Sequence, residues 1–235
     1  MDILRIMKQS EFQILALAAG IEKIYGTGKY APLSQQETMY GLHELLRNGI
    51  LTEDNGQFLF CEPYRTIFME LKNADRLLAV TSEKSGTQDV SIYKGKKLIT
   101  LEESRQDAGA LRIGQYELQE LPGLLEEKGF LPDAYVPLDI ALLQPQEELE
   151  ERIAPGMREL LMSAEKMDLS GETQEQLREQ FLLFDLKNQG MQEPFEAIYL
   201  LENPCNYWIA VKNRENVEYT QYAPQRLCDR LREIF

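Results

Sequence analysis

The sequence is poor in the residues on which metal and nucleophilic chemistry most often depends. Its 235 residues include one histidine (His43), one tryptophan and three cysteines. A zinc site needs several convergent ligands and a Ser–His–Asp triad needs a histidine base, yet no cysteine or second histidine lies near His43 in the sequence. The usual metal, nucleophile-elbow, dinucleotide and P-loop motifs are missing as well. We therefore expect His43 to have a structural role. We also expect that the protein has no catalytic residue and binds no metal or cofactor.

The chain also lacks long apolar runs, so we expect no membrane insertion. Its first 20 residues carry an apolar patch, but three charged residues interrupt it in a way that is untypical of a signal peptide: Asp2, Lys8 and Glu11. The cysteines are odd in number and widely spaced, which is typical of reduced thiols: Cys61, Cys205 and Cys228. These patterns predict a cytoplasmic protein.

Positive charge is scarce, since 25 basic residues face 39 acidic ones and the net charge is −14. Eleven acidic and four basic residues lie between Tyr135 and Phe181. Such a surface repels phosphate backbones, so we expect no nucleic-acid partner. A solvated helix face explains the acidic segment, and a patch for a basic partner is the alternative.

Local signals predict helices and a hairpin in the first part of the chain. A helix is expected from Phe12 to Gly20, and a second one behind Ser34, whose capping box includes Glu37. Asn55-Gly56 between alternating apolar residues predicts a hairpin, and a further helix should begin near Pro63.

From Leu77 the apolar period changes to two, which predicts a strand, a hairpin around residues 94–97, a further strand and a helix ending at Gly129. Residues 131–137 carry two prolines and form a candidate linker. Three helices are then predicted, over 139–143, over 147–167 and behind Ser170, the last one carrying Leu177, Phe181 and Phe184 inward. Strands and a helix from Pro224 end the chain.

The same order of elements occurs twice. We match the strand over 77–83, its hairpin and the helix over 120–129 to the strand over 196–203, the next hairpin and the helix over 224–235. The prediction is an α+β fold, with a mostly antiparallel sheet from two pseudo-symmetric halves and helices on the flanks. Residues 1–131 form the first half, with a winged-helix-like block over 34–71, and residues 132–235 form the second half, within one compact unit.

Two groups of residues are candidates for partner binding. Aromatic residues, common at interface hot spots and also in ordinary strands, concentrate in the second sheet and include Tyr207 and Trp208. Lys94, Lys96 and Lys97 form a basic hairpin tip on an acidic protein, either as a docking point for an acidic segment or as a solvated turn.

The winged-helix-like block resembles that of DNA-binding regulators. Its second helix, however, offers two acids and a single base where a DNA reader should offer mainly Arg, Lys, Asn or Gln. We therefore interpret the block as a packing or protein-contact element.

The segments LLRNGILTEDNGQFLF, LLAVTSE, DVSIYKG and KKLITLEE, followed by a second helix–sheet–helix half, resemble the EspG-type chaperones of type VII secretion systems. The resemblance covers nearly the whole chain and consists of element order, the helix–wing block and the pseudo-duplication. It implies cytosolic binding of helical secreted substrates by the central sheet and adjoining helices, without catalysis. By position, it points to the hairpin at Lys94–Lys97 and the helices of the second half as the contacts.

The leading hypothesis is therefore a non-enzymatic protein-binding adaptor or secretion chaperone with a protein partner and no defined oligomeric state. A winged-helix transcriptional regulator with a ligand or dimerisation domain is the alternative. An enzyme with dispersed carboxylates or tyrosines is a third hypothesis.

Overall fold

The computed structural model describes residues 2–21, 24, 32–82, 89–104, 107, 109–132, 177–187, 194–202, 207–213 and 217–235. The α-helices in these residues are α1 (Gln9–Ala18), α2 (Gln35–Arg47), α3 (Tyr64–Asn73), α4 (Leu121–Glu127) and α5 (Pro224–Ile234), and a short 3-10 helix over Leu118–Glu120 precedes α4. The first strands are β1 (Asp2–Lys8), β2 (Leu51–Asp54), β3 (Gln57–Phe60), β4 (Arg76–Ser82), β5 (Val90–Lys94), β6 (Leu98–Glu103) and β7 (Ala110–Tyr116). The later strands are β8 (Leu177–Asp185), β9 (Glu196–Glu202), β10 (Tyr207–Asn213) and β11 (Val217–Gln221).

Nine of these strands form one sheet in the order β1-β7-β6-β5-β4-β8-β9-β10-β11, and every neighbouring pair is antiparallel. Strands β2 and β3 form a separate hairpin. The predicted α+β class with a mostly antiparallel sheet is confirmed.

The sheet is built from two units of the same topology. Strands β4 to β7 form a meander that is followed by α4, and strands β8 to β11 form a meander that is followed by α5. The opening strands β4 and β8 pair antiparallel at the centre, and each meander continues outward from there. This arrangement is a pseudo-two-fold about the β4–β8 pair, so the predicted pseudo-symmetric halves are confirmed.

The two halves match differently from the sequence-based alignment, which was one strand out of step. Strand β4 corresponds to β8, not to β9, and β5 corresponds to β9. A constant offset of 106 residues places Ile92-Tyr93 of β5 on Ile198-Tyr199 of β9. Over residues 115–129, the same offset gives six identities, the first two being Gln115 with Gln221 and Tyr116 with Tyr222. This weak repeat agrees with the topology.

The predicted helix behind Ser170 is wrong where the structure describes it, because residues 177–185 form β8. Leu177, Phe181 and Phe184 are spaced as on a helix face, but β8 is paired on both sides, with β4 and β9. The sheet pairing overrides the local pattern. The linker over 131–137 beyond residue 132, the helices over 139–143 and 147–167 and most of the acidic segment lie outside the described residues.

The first eight residues hold an element that the sequence patterns did not predict. Residues 2–8 form β1, which pairs with β7 at the edge of the sheet, and α1 begins at Gln9 rather than at Phe12. Met7 is buried beneath the N-terminal helices, so part of the apolar patch at the start of the chain packs in the core.

Alternating side chains of the sheet supply a core on each face. One core combines Leu77, Tyr93 and Ile113 of the sheet with side chains of α1, α2 and α3. The other places Leu78 and Leu183 of the central strands against α4 and α5. Burial on both faces explains why the central strands carry uninterrupted apolar runs, over residues 77–80 of β4 and 181–184 of β8. The sheet runs without a break across the proposed boundary at residue 131, and the division into two domains stays a prediction.

The winged-helix-like block folds as its local signals predict. Ser34 caps α2, and Asn55 (φ 50°) with Gly56 (φ 76°) forms the turn between β2 and β3. Both residues have positive φ, as the two-residue hairpin turn requires. Pro63 lies immediately before α3.

Candidate functional site

A concave surface lies between α1, the start of α2 and the described residues of the connection between these two helices. We call it the α1–α2 groove and define it by its lining residues: Gln13, Ile14, Ala16, Leu17, Ile21, Ile24, Pro32, Leu33 and Thr38. Its volume is about 650 Å³, and most of the lining side chains are apolar. A groove of this size and character is typical of a binding site.

A glycine lies at the contact between the two helices. A Cβ at Gly41 of α2 would overlap Cδ1 of Ile14 on α1, so the absence of a side chain allows the helices to approach closely. Lys72 of α3 donates a 2.8 Å hydrogen bond to the Ala19 carbonyl at the end of α1. These contacts fix one wall of the groove on the sheet-supported core.

The other wall begins at the capped end of α2. The Ser34 hydroxyl and backbone N–H donate to Glu37 Oε2 at 2.7 and 2.8 Å, and the Glu37 N–H donates to Ser34 Oγ at 3.2 Å. The side-chain and backbone hydrogen bonds from Ser34 hold the pKa of the Glu37 carboxyl below its usual value. The box orders Leu33 and Thr38 beside the groove.

Exposed apolar side chains are concentrated in the part of the chain that contains this groove. Leu17 of α1 is 60% exposed, and Met39 and Tyr40 of α2 are 63% and 60% exposed. Among the described residues, seven of the nine large exposed apolar side chains lie before β4: Ile6, Leu17, Met39, Tyr40, Phe58, Leu59 and Met69. Because contiguous apolar patches mark interaction surfaces, this part of the chain is the candidate region for one.

The predicted lysine tip is tied to the body of the protein. Lys94 Nζ donates to the backbone carbonyl of Phe235, and Lys97 Nζ lies 2.8 Å from Glu117 Oε1. The backbone N–H of Lys96 donates to Glu70 Oε2 at 2.6 Å, while the Lys96 side chain is exposed. Two of the three lysines therefore have structural contacts that no local sequence pattern indicates.

Tyr207 and Trp208 point to opposite faces of the sheet, as their adjacent positions predicted. The Tyr207 ring meets Tyr222 edge-on at 5.9 Å, and its hydroxyl accepts a 2.8 Å hydrogen bond from Arg178 Nη1. Burial raises the pKa of the Tyr207 phenol. Trp208 is 7% exposed and packs with Leu201 on the other face. The side chain of Trp208 is therefore part of the core.

The structure does not bring the two predicted groups together. Residues that are paired across neighbouring strands form rows that run across the sheet. The row of Lys94 contains Asp185, the last residue of β8, whereas the row of Trp208 contains Leu177, the first residue of β8. Eight residues of strand separate these rows, which is about 26 Å. Partner binding by either group stays a prediction.

Buried acids on the sheet are held by cations. Each of the following pairs has a side-chain distance of 3.2 Å or less: Glu102 with Lys128, Glu179 with Arg178, and Glu196 with Arg230. The neighbours Arg178 and Glu179 can meet because the register of β8 shifts between Leu177 and Glu179, as at a β-bulge. The other two pairs join strands to helices, Glu102 of β6 to Lys128 at the end of α4 and Glu196 of β9 to Arg230 of α5.

Tyr116 lies near one of these buried pairs. Burial raises the pKa of its phenol, and the charges of Glu127 and Glu102 raise it further. Within the described ranges, no group of three or more His, Cys, Asp and Glu side chains is arranged to hold a metal ion. None of the helices in those ranges is long and apolar enough to cross a bilayer.

Sequence reasoning did not find the α1–α2 groove. Its signal is present, since Leu17, Met39 and Tyr40 fall outside the apolar faces that pack in the core. The close approach at Gly41, however, depends on how two helices cross. No protein-family model matches the chain, and no curated protein is similar enough to it to count as a relative.

Proposed function

We propose that the protein is a non-enzymatic cytoplasmic adaptor or secretion chaperone that binds an amphipathic helix of a partner protein in the α1–α2 groove. The observation that carries the proposal is the apolar groove of about 650 Å³, with Leu17 exposed in its lining and Met39 exposed next to the lining residue Thr38 in α2. Apolar side chains of α1 and of the connection to α2 line a channel into which a partner helix can place apolar side chains at i, i+3 and i+4.

Charge supports a protein partner over nucleic acid. The chain carries a net charge of −14, which favours a basic or neutral partner helix and opposes phosphate. Glu53 and Asp54 are exposed on the β2–β3 wing, where a winged-helix regulator would need bases. No observation favours the regulator hypothesis over the adaptor.

The test compares three forms of the full chain as baits in an extract of the native host. Leu17→Glu/Met39→Glu places two charges beside the groove, and Leu118→Glu places one on an exposed apolar residue elsewhere. We expect the wild type and Leu118→Glu to retain the same protein, and the double variant to lose at least about tenfold of it.

The retained protein is then expressed and titrated with each form by isothermal calorimetry. We expect a peptide that corresponds to one helix of the partner to compete with the full partner for binding to the groove. Equal binding by all three forms, or binding of nucleic acid in place of protein, contradicts the proposal. Circular dichroism of each variant checks that the fold is intact.

A further inference from the structure

The pseudo-two-fold is broken at the two outer strands. The outer edge of β7 is covered by β1, which adds antiparallel to it, with Lys8 opposite Ala110 and Ile6 opposite Arg112. Strand β11 is the equivalent of β7, and in the part of the chain that the structure describes no strand pairs with its outer edge. The described strands of the sheet therefore number nine, and a tenth on β11 would restore the symmetry.

The β11 edge also lacks the features that usually prevent strand addition. Its register with β10 is continuous, and its sequence, VEYTQ, contains no proline or lysine and only one charge, Glu218. The β1 edge, in contrast, has an irregular register between Asp2 and Arg5 and several charged residues. Bulges, lysines and prolines are the common protection of edge strands, so β11 is the edge suited to pairing.

Charges beside β11 are arranged to fit a second copy of the same strand. Glu218 and Thr220 lie on the α5 face, because they are opposite the buried-face residues Val211 and Ile209 of β10. Arg226 Nη1 donates a 3.1 Å hydrogen bond to Thr220 Oγ1. No ion pair joins Glu218 or Arg226 to any other residue in the described ranges.

An antiparallel pair of β11 strands centred on position 219 places Glu218 of each copy opposite Thr220 of the other. Opposite side chains on such a pair lie about 5 Å apart, so each Glu218 reaches the Arg226 that is bonded to the facing Thr220. A cavity of about 170 Å³, lined in part by Thr220, Arg226 and Leu227, offers space for the incoming side chain.

We propose that the protein forms a two-fold symmetric dimer through antiparallel pairing of the β11 edges, held by two Glu218–Arg226 ion pairs between the copies. The same patch serves both subunits, as closed two-fold symmetry requires. The interface is small, and two copies of charge −14 repel each other, so the dimer should be weak, dissociating in the micromolar range. It is independent of the α1–α2 groove.

Sedimentation velocity over a concentration series tests the proposal with purified full chain at about 0.15 M salt, where the overall repulsion is screened. The wild type should pass from monomer to dimer. Glu218→Arg and Arg226→Glu should each weaken the dimer at least about tenfold, because like charges then face one another.

Mixing the two variants supplies the decisive control. In a mixed dimer, the arginine introduced by Glu218→Arg faces the glutamate introduced by Arg226→Glu, and the native Glu218 faces the native Arg226, so association should return. A wild type that stays monomeric up to about 100 μM overturns the proposal. Unimpaired dimers of both single variants, or no association on mixing, also overturn it.

Discussion

The side chain of Tyr116 lies across a glycine on the α4 face of the sheet. Gly114 of β7 is opposite Thr100 of β6, and a Cβ built at Gly114 would lie 2.5 Å from Thr100 Oγ1 and 2.6 Å from Tyr116 Cε2. Both neighbours are buried, so neither can move aside without disturbing the core. Gly114→Ala should therefore destabilise the protein.

The magnitude follows from two opposing effects. Forcing an extra methyl group into a packed core costs about 1–3 kcal/mol. Replacing a glycine within a strand recovers about 0.5–1 kcal/mol, because the unfolded chain loses freedom. We expect a net loss of about 1–2 kcal/mol in the free energy of unfolding, or a fall in Tm of several degrees for a chain of this length.

Urea titration followed by circular dichroism measures the loss, and Gly123→Ala is the matched control. Gly123 lies in α4, and a Cβ there would meet no atom within 4 Å. Alanine at this exposed helical position should stabilise the protein by up to about 1 kcal/mol. Equal shifts for the two variants, or a Gly114→Ala protein as stable as the wild type, would refute the packing argument.

Three further predictions concern ionisable groups. Burial raises the pKa of the Tyr116 phenol, so the native state keeps the proton longer than the unfolded chain. The stability that Tyr116 contributes should be full below about pH 10 and should fall as the pH rises through the pKa of the folded state. In urea titrations from about pH 8 to 11, Tyr116→Phe should therefore lose less stability than the wild type. Parallel curves for the two proteins would contradict this prediction. Burial also raises the pKa of the Cys228 thiol, and this residue is 5% exposed. Iodoacetamide should therefore alkylate the half-exposed Cys61 well before Cys228, as peptide mass spectrometry can measure. Equal alkylation rates for the two cysteines would contradict this prediction. Arg230→Ala leaves the buried Glu196 without its bidentate partner and should lower the free energy of unfolding by about 1–3 kcal/mol in the same urea assay. This range is lower than for a fully buried pair because Arg230 is 41% exposed. An unchanged urea midpoint would show that the pair contributes nothing to stability.

The parts of the fold that depend on local chemistry could be predicted from the sequence. The capping box at Ser34 depends on hydrogen bonds, and the Asn55-Gly56 turn on positive φ angles, among residues only a few positions apart. Neighbouring residues in the sequence therefore determine both conformations. The period-two pattern of the inner strands of the first half also identified them correctly.

The errors arose where distant pairing decides the structure. The spacing of Leu177, Phe181 and Phe184 fits a helix, and only the flanking strands β4 and β9 make the segment a strand. The N-terminal strand is similarly fixed by β7, more than 100 residues away in sequence. A local sequence pattern does not show which distant strand a segment will pair with.

The α1–α2 groove was missed for the same reason. Exposed Leu17 and Met39 lie on two helices that meet through Gly41, and the crossing is set by the packing of both helices on the sheet. The repeat could have been aligned correctly from the Gln-Tyr pairs at Gln115-Tyr116 and Gln221-Tyr222, which share the offset of Ile92 and Ile198.

The central claim is that two equivalent units meet at the β4–β8 pair, and a disulfide across that pair tests it most directly. Ala79 of β4 is opposite Leu182 of β8, and Leu182 is opposite Ala197 of β9. Cα atoms of opposite residues in an antiparallel pair lie about 4.5–5.5 Å apart, within the range of a disulfide, whereas Ala79 and Ala197 are two strands apart, or about 10 Å.

Both cysteine pairs are introduced into a chain whose native cysteines are replaced by alanine, at Cys61, Cys205 and Cys228. Under mild oxidation of the folded protein, the account predicts a rapid, intramolecular disulfide for Ala79→Cys/Leu182→Cys and none for Ala79→Cys/Ala197→Cys. A crosslink that forms in the second pair as readily as in the first, or that fails in the first, would contradict the pseudo-symmetric sheet.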